Sequence, residues 1–151
     1  MLDYDGTLVN YELIPQNAKL SEQLNEILIK LIDKPQIKVF IISGRGYKDI
    51  DKLLVHLPID IIAEHGAMMK ENGVWKNQIN NSDSWVKTVK NILNQITFTS
   101  PGSYVEEKKF SLAWHYRNTE PQSGYAHSRE LIRLLEKVIH SYNLKILDGK
   151  K

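Results

Sequence analysis

Residues 37–46 read IKVFIISGRG, a nearly continuous apolar run that ends in a short polar turn. Such a run, rich in β-branched residues, is typical of a parallel strand that is buried on both faces. Apolar residues recur at helical spacing from Leu20 to Ile32, and a second helix is expected around residues 48–56. Another short apolar run follows at residues 59–63. This alternation of strands and helices predicts an α/β fold built on a parallel sheet.

The composition is that of a globular protein of modest size. The chain has 151 residues, of which 42% are hydrophobic and 25% are charged, which fits about one domain of ordinary make-up. Its 20 lysines and arginines against 18 aspartates and glutamates give a net charge of +2, far from the basic balance of a nucleic-acid-binding domain. We therefore expect chemistry on a small molecule, without a nucleic-acid partner.

The sequence contains no cysteine, which excludes a disulfide framework and thiolate metal ligands. No apolar run approaches the roughly 20 residues of a membrane-spanning helix. The first residues also lack the basic and apolar pattern of a leader peptide. We expect a cytoplasmic protein without a membrane partner.

The rhythm of the sequence changes after a polar stretch at residues 77–83, which predicts a domain boundary near residue 81. The preceding part, residues 1–81, contains the parallel strands. The following part, residues 82–151, predicts a smaller α+β unit because helical spacing and strand-like alternation both occur in it. Its predicted elements are a helix from Trp85 to Ile96, a strand from Tyr104 to Arg117, a helix from Leu131 to Tyr142 and the start of a strand at residues 144–147.

The string DYDGTL at residues 3–8 carries the main chemical signal. It places Asp3 and Asp5 just after a short apolar strand, at the edge of the sheet where open α/β folds bind ligands. One carboxylate of such a pair can attack phosphorus and form an aspartyl-phosphate, while the other gives and takes a proton. Gly6 permits a tight turn and Thr7 offers a hydroxyl to phosphate. The alternative for a bare pair of this kind is an aspartate-rich turn.

The complete string closely resembles the first motif of the haloacid-dehalogenase-like hydrolase superfamily. The resemblance implies that Asp3 is the nucleophile and Asp5 the general acid and base. FIISGR at residues 40–45 resembles the second motif, in which a serine or threonine at the end of the second strand binds the phosphoryl group. It implies that Thr7, Ser43 and the amide of Gly44 hold the phosphoryl oxygens. Taken alone, a Ser-Gly pair is more often a helix cap.

Two further strings narrow the resemblance within the superfamily. With AEHG at residues 63–66 and VEEKKFSLAWHYR at residues 105–117, the sequence looks like a trehalose-6-phosphate phosphatase. The resemblance implies a Rossmann-like, three-layer α/β/α core, incomplete in this chain, with motifs one and two in residues 1–81. It implies that residues 82–151 form an inserted cap domain, incomplete at its C-terminus. The implied reaction releases trehalose and phosphate from trehalose 6-phosphate.

The resemblance also implies which side chains contact the sugar. Glu106 and Lys108 match the cap residues that reach the sugar hydroxyls, with Glu107 and Lys109 as close competitors that spacing does not separate. A solvated, charged hairpin tip is the alternative for this segment. Arg45 is a candidate for binding the phosphate or ordering the seam between core and cap, with a surface salt bridge as the alternative.

The AEHG string leaves a choice open, because Glu64 and His65 follow the strand at residues 59–63. A role in the site and a structural hydrogen bond to the backbone are both compatible with that position.

Magnesium is the implied cofactor, held by the Asp3 carboxylate, the Asp5 backbone carbonyl and waters. The superfamily's third motif, a lysine, and its fourth, an acidic cluster, are expected beyond residue 151. We therefore expect a chain truncated at both ends that is impaired or inactive by itself. A trehalose-phosphate synthase domain, fused or associated, is the expected protein partner.

Two alternative functions remain open at the level of sequence. The first is another capped sugar-phosphate phosphatase, acting on sucrose phosphate or mannosyl phosphoglycerate, which would use the same catalytic residues. The second is a catalytically incomplete module that binds a sugar phosphate.

Overall fold

The computed structural model describes residues 1–12, 14–79 and 83–148. The chain divides into two compact units, Met1–Asn80 and Asn81–Lys151. The boundary predicted near residue 81 falls within residues 80–82, which lie outside the described residues. Among the described helices, none is both long and apolar enough to cross a membrane.

The first unit is an α/β fold with one mixed sheet. Its elements are β1 (Leu2–Asp3), α1 (Glu22–Ile32), β2 (Phe40–Ile42), α2 (Tyr47–Leu54), β3 (Asp60–Ala63), β4 (Met68–Glu71) and β5 (Val74–Asn77), with short 3-10 turns at Pro15–Asn17 and Glu64–Gly66. The strands lie side by side in chain order, β1-β2-β3-β4-β5. The pairs β1–β2 and β2–β3 are parallel, as predicted, whereas β3–β4 and β4–β5 are antiparallel.

The antiparallel hairpin of β4 and β5 extends the sheet beyond the predicted parallel strands. Its two strands are joined by Asn72 and Gly73, whose φ angles are 49° and 79°. An Asn-Gly pair with positive φ at both residues is the preferred two-residue hairpin turn. The Asn-Gly pair is thus a local signal from which this hairpin, absent from the predicted elements, could have been predicted.

The core of the first unit is formed by apolar side chains of its strands and helices. Ile41 of β2 and Ile61 of β3 are completely buried, as are Ile50 and Leu54 of α2. Leu28 of α1 is 1% exposed. Burial of these apolar side chains is the main favourable contribution to folding, and it fixes the central strands whose ends carry the candidate site.

Helix α1 begins after Ser21 and ends at Ile32, in agreement with the helical spacing of apolar residues from Leu20 to Ile32. The Ser21 hydroxyl accepts a hydrogen bond from the backbone N–H of Leu24, with an N–O distance of 3.2 Å. We expect Ser21→Ala to lower the free energy of unfolding by about 1 kcal/mol, because one N–H at the helix start loses its acceptor. Urea denaturation measures the change. Ser21→Asp, which keeps an acceptor, should match the wild type; equal loss in both variants would contradict the cap.

The second unit packs two helices against a two-stranded antiparallel sheet. Its elements are α3 (Ser84–Thr99), β6 (Tyr104–Glu107), β7 (Leu112–His115) and α4 (Pro121–Ile139), followed by a 3-10 turn at His140–Tyr142. The unit is α+β, as predicted. Its core comprises four residues of α3 and two of α4, namely Trp85, Val89, Leu93, Ile96, Leu131 and Leu135.

Two strand predictions in this unit are wrong in detail. The run from Tyr104 to Arg117 is a hairpin and not one strand, because the charged residues after Glu107 form a turn in which the N–H of Lys108 donates to the carbonyl of Ser111 at 2.9 Å. Residues 144–147 form no strand. Leu144 and Ile146 instead pack against the helical core, so their apolar character serves packing rather than sheet pairing.

Candidate active site at the carboxyl edge of the parallel strands

The loops after β1 and β2 lie side by side at the carboxyl edge of the sheet. Asp3 pairs with Ile42 at the end of the two strands, and the N–H of Tyr4 donates to the carbonyl of Ile42 at 3.0 Å. The N–H of Ser43 donates in turn to the carbonyl of Ile62 in β3 at 2.9 Å. The structure therefore brings both predicted motifs to one edge.

Asp3 presents an exposed carboxylate at this edge. The Thr7 hydroxyl donates to Asp3 Oδ2 at 3.2 Å. The loop between them is closed by the carbonyl of Tyr4, which accepts from the N–H groups of Leu8 and Val9 at 3.0 Å each. Gly6 makes this turn possible, since its φ of 86° lies in the left-handed region that favours glycine. The Asp3 carboxylate is therefore accessible to a ligand and already oriented.

Asp5 has a different environment, because one edge of the Arg45 guanidinium, Nε and Nη2, holds both oxygens of its carboxylate. Arg45 Nε donates to Asp5 Oδ2 at 2.9 Å and Nη2 donates to Oδ1 at 2.6 Å. Arg45 Nη1 donates to the carbonyl of Pro15 at 2.6 Å. The side chains of Arg45 and Asp5 are only 13% and 25% exposed. Two-point pairing of this kind fixes the carboxylate's position as well as its charge.

Burial acts to lower the pKa of Arg45, but the hydrogen bonds and the charge of Asp5 outweigh it and raise that pKa above its ordinary value. The guanidinium therefore stays protonated throughout the accessible pH range. The pair is largely buried, unlike the surface salt bridge considered from the sequence. Contact of Arg45 with substrate stays a prediction.

Ser43 is buried beside this pair. Its hydroxyl accepts from the N–H of Arg45 at 3.1 Å and lies 3.4 Å from Asp5 Oδ2, to which it can donate. The predicted phosphate ligands Thr7, Ser43 and Gly44 are thus carried by the two loops that hold Asp3 and Asp5. Their contact with a phosphoryl group stays a prediction.

The AEHG string forms a strained turn that supports the loop after β2. Glu64 and His65 have φ angles of 50° and 56°, which are unfavourable for residues other than glycine. The buried Glu64 carboxylate accepts from the N–H of Tyr47 at 3.2 Å, at the first residue of α2. The His65 ring packs on Gly44, where a Cβ would lie 2.7 Å from its Cε1. Glu64 therefore has the structural hydrogen bond that the sequence left open.

In the second unit, strand register separates Glu106 from its competitor Glu107. Glu107 pairs with Lys90 of α3, on the helix-facing side of the hairpin. Glu106 lies on the opposite side, where Nε2 of His115 is 2.6 Å from its Oε2 and Nζ of Lys108 is 3.7 Å from its Oε1. The hydrogen bond with His115 lowers the pKa of Glu106, burial opposes it, and the charge of Lys108 adds to the lowering. The register across the hairpin brings His115 to Glu106, a contact that the single strand predicted from Tyr104 to Arg117 did not show.

The residues predicted to hold magnesium can be compared with the ion's usual ligands. The described part of the chain contains no cluster of three or more histidine, aspartate, glutamate or cysteine side chains suited to a metal. The exposed Asp3 carboxylate suits Mg²⁺, which commonly takes one or two carboxylates and completes its shell with phosphate and water. The Asp5 carboxylate is occupied by Arg45, so only its backbone carbonyl is consistent with the predicted set.

Comparison with known proteins supports the assignment suggested by the motifs. The family model described as trehalose-phosphatase matches residues 1–151. A relative from Dictyostelium discoideum, the alpha,alpha-trehalose-phosphate synthase [UDP-forming] B, is 40% identical over 99% of this chain and 19% of its own length. The bifunctional trehalose-6-phosphate synthase/phosphatase of Thermoproteus tenax is 38% identical over 100% of this chain and 21% of its own length. The chain thus spans about a fifth of these relatives.

A solved structure agrees with both the fold and the sequence match. The C-terminal domain of the trehalose-6-phosphate phosphatase of C. albicans is 34% identical, with a TM-score of 0.90, and the match covers 98% of this chain and 53% of that one. The resemblance inferred from the motifs is confirmed, and the chain belongs to the trehalose-phosphatase family.

Proposed function

We propose that the protein acts as a phosphatase that hydrolyses trehalose 6-phosphate to trehalose and inorganic phosphate. The observation that carries this proposal is that two neighbouring carboxylates, Asp3 and Asp5, have different environments. Asp3 is exposed at the carboxyl edge of the parallel strands, whereas Asp5 is held by Arg45 two residues further along. Membership in the trehalose-phosphatase family supports the choice of substrate.

The reaction proceeds in two steps that this pair can divide between them. A carboxylate oxygen of Asp3 attacks phosphorus, the bond from phosphorus to the sugar oxygen breaks, and Asp5 gives its proton to that oxygen. Water then attacks the aspartyl-phosphate, Asp5 takes a proton from the water, and the bond between Asp3 and phosphorus breaks. Arg45 donates to both oxygens of Asp5 and so orients it, and the proton that Asp5 gives and takes is held on a lone pair that Arg45 leaves free.

The phosphoryl oxygens are held by the Thr7 and Ser43 hydroxyls and the Gly44 amide. These donors are provided by the two loops that carry the carboxylates, so the phosphoryl group is fixed by the same elements as the nucleophile. Magnesium on the Asp3 carboxylate and the Asp5 backbone carbonyl, when bound, neutralises phosphate charge.

The sugar is recognised by Glu106 and Lys108 of the second unit. A carboxylate accepts hydrogen bonds from sugar hydroxyls, and an ammonium group donates to sugar oxygens. Glu106 suits this role better than Glu107, because it shares its face of the hairpin with Lys108, whereas Glu107 lies on the helix-facing side and pairs with Lys90 of α3.

A trehalose-phosphate synthase is the partner that fits this activity, as a fused or associated domain. The proposal rests on the names and lengths of the relatives from D. discoideum and T. tenax, of which the matched region is about a fifth. The cytoplasmic location expected from the composition stays a prediction.

A panel of sugar phosphates tests the substrate. We expect the protein to release phosphate from trehalose 6-phosphate with magnesium. Its kcat/KM for sucrose phosphate and mannosyl phosphoglycerate should be lower by about a hundredfold or more, since a site built on hydrogen bonds to hydroxyls discriminates strongly. Preference for another sugar phosphate would overturn the substrate. Binding of trehalose 6-phosphate without turnover would favour a binding module.

A further inference from the structure

We propose that His115 is a positioning residue that fixes the Glu106 carboxylate for binding sugar hydroxyls. This inference rests on the proposed function, because it assigns a role to a neighbour of a proposed sugar ligand. The residue and its partner come from opposite strands of the β6–β7 hairpin, and nothing in their sequence separation of nine residues requires them to meet.

The strand register of the hairpin places apolar residues on one face and a polar cluster on the other. Val105 is paired with Trp114, and Glu107 with Leu112; Val105, Leu112 and Trp114 pack against the core of the helices. Trp114 Nε1 also donates to the Thr97 hydroxyl of α3 at 3.0 Å. The apolar residues of the helix-facing side are therefore used for folding.

The opposite face carries the polar cluster. Tyr104 is paired with His115 and Glu106 with Ala113, so all four side chains are on this second face. Tyr104 is 47% exposed, and the side chains of His115 and Glu106 are 38% and 33% exposed. The cluster is accessible to a ligand, and the small Ala113 leaves room above the sheet beside Glu106.

Three contacts restrict the motion of the carboxylate. Nε2 of His115 is 2.6 Å from Glu106 Oε2, and Nζ of Lys108 is 3.7 Å from Oε1, so each oxygen has a different partner. The Tyr104 ring stacks on the His115 ring with centroids 4.6 Å apart and planes 18° from parallel. The stacking restrains the imidazole, which in turn restrains the carboxylate.

The Glu106 carboxylate is held by more contacts than an ordinary surface ion pair has. An exposed glutamate loses side-chain entropy when it binds a ligand, and a carboxylate already held in one rotamer loses less. Each carboxylate oxygen has more than one acceptor site, so Glu106 can keep its bond with His115 while it accepts from a sugar hydroxyl. His115 thus acts through Glu106, and the effect belongs to sugar binding rather than to chemistry at phosphorus.

The test compares two substitutions that differ in where they place an N–H group. His115→Gln carries its amide at the position of Nε2, whereas His115→Asn carries it at the position of Nδ1, away from Glu106. We expect His115→Ala and His115→Asn to raise KM for trehalose 6-phosphate by about tenfold, the loss of one charge-assisted hydrogen bond, with little change in kcat. His115→Gln should recover most of the affinity. His140→Ala, an exposed histidine at the end of α4, is the matched control.

Para-nitrophenyl phosphate, which has no sugar, serves as the second substrate. Its kinetic constants should be the same in all of these variants. Equal losses on both substrates would show a general structural role, and unchanged KM in His115→Ala would show no role; either result overturns the inference. A wild type that is silent on trehalose 6-phosphate would overturn the proposed function and this inference with it.

Direct titration of Glu106 by carbon NMR gives a readout that does not depend on turnover. The pKa of Glu106 should rise in His115→Ala and stay low in His115→Gln, because the hydrogen bond from residue 115 is the main cause of its lowering. A pKa that is the same in wild type and His115→Ala would contradict the pairing itself.

Discussion

Asp3→Asn is expected to lower the rate of phosphate release from trehalose 6-phosphate by at least about 10³-fold, because an amide cannot take the place of the attacking carboxylate. The side chain is exposed and keeps its size, and the asparagine oxygen can still accept from the Thr7 hydroxyl. The loss should therefore occur without a loss of stability. Phosphate release and thermal unfolding, measured on the same sample, check both parts.

Asp33→Asn is the matched control, since Asp33 is exposed at the end of α1 and remote in sequence from both motifs. It should keep the wild-type rate. Substantial turnover in Asp3→Asn would contradict the assignment of Asp3 as nucleophile, and a similar loss in the control would show that the assay reports general damage.

Asp5→Asn is expected to lower turnover of trehalose 6-phosphate by about 10²- to 10⁴-fold, the usual contribution of a general acid and base. The asparagine oxygen can still accept from one nitrogen of Arg45, but its NH2 group then faces the second N–H donor. Thermal unfolding is therefore measured beside turnover, and an unchanged melting temperature assigns the defect to the missing proton transfer rather than to a displaced loop. Steady-state kinetics on the same protein preparation used for wild type measures the loss.

A substrate with a better leaving group separates the two steps for this variant. Para-nitrophenolate departs without needing a proton, so Asp5→Asn should release about one equivalent of it rapidly and then stall as the aspartyl-phosphate, because the water still lacks a base. Stopped-flow absorbance detects the burst, and mass spectrometry detects the phosphorylated chain. The absence of both burst and phosphoenzyme, with a uniformly slow rate, would argue that Asp5 acts before or outside proton transfer.

The parallel strands and the site edge could be predicted because their signals are local. A buried parallel strand is recorded in its own sequence as a continuous apolar run, and IKVFII shows this before Ser43. Since parallel strands end at the same edge, the order of elements alone places Asp3 and Asp5 beside Ser43. The structure has all three at that edge.

Side-chain contacts between residues that are distant in the sequence could not be predicted in the same way. Arg45 and Asp5 are separated by 40 positions in the sequence. A guanidinium group can also bind phosphate, water or another carboxylate, so the residue type does not identify its partner. The choice depends on the position of the loop after β2, which Glu64 supports through α2. That support arises from a strained turn whose φ angles have no signal in composition or periodicity.

The choice between Glu106 and Glu107 shows what strand register adds. Neighbouring residues of a strand face opposite sides, but the sequence does not say which side is covered. The structure shows that Val105 and Trp114 pack against the helices, which places Glu107 on the same helix-facing side, where its exposed carboxylate pairs with Lys90. The same register places His115 beside Glu106. The prediction of one continuous strand from Tyr104 to Arg117 did not show this contact.

The most direct test of the central claim is phosphate release from trehalose 6-phosphate in the presence of magnesium. It should be measured on the protein with and without Asp3→Asn, on the same preparation and with thermal unfolding as a check of the fold. We predict release that Asp3→Asn abolishes. Sustained release in Asp3→Asn, or none from trehalose 6-phosphate while other phosphate esters are hydrolysed, would contradict the account.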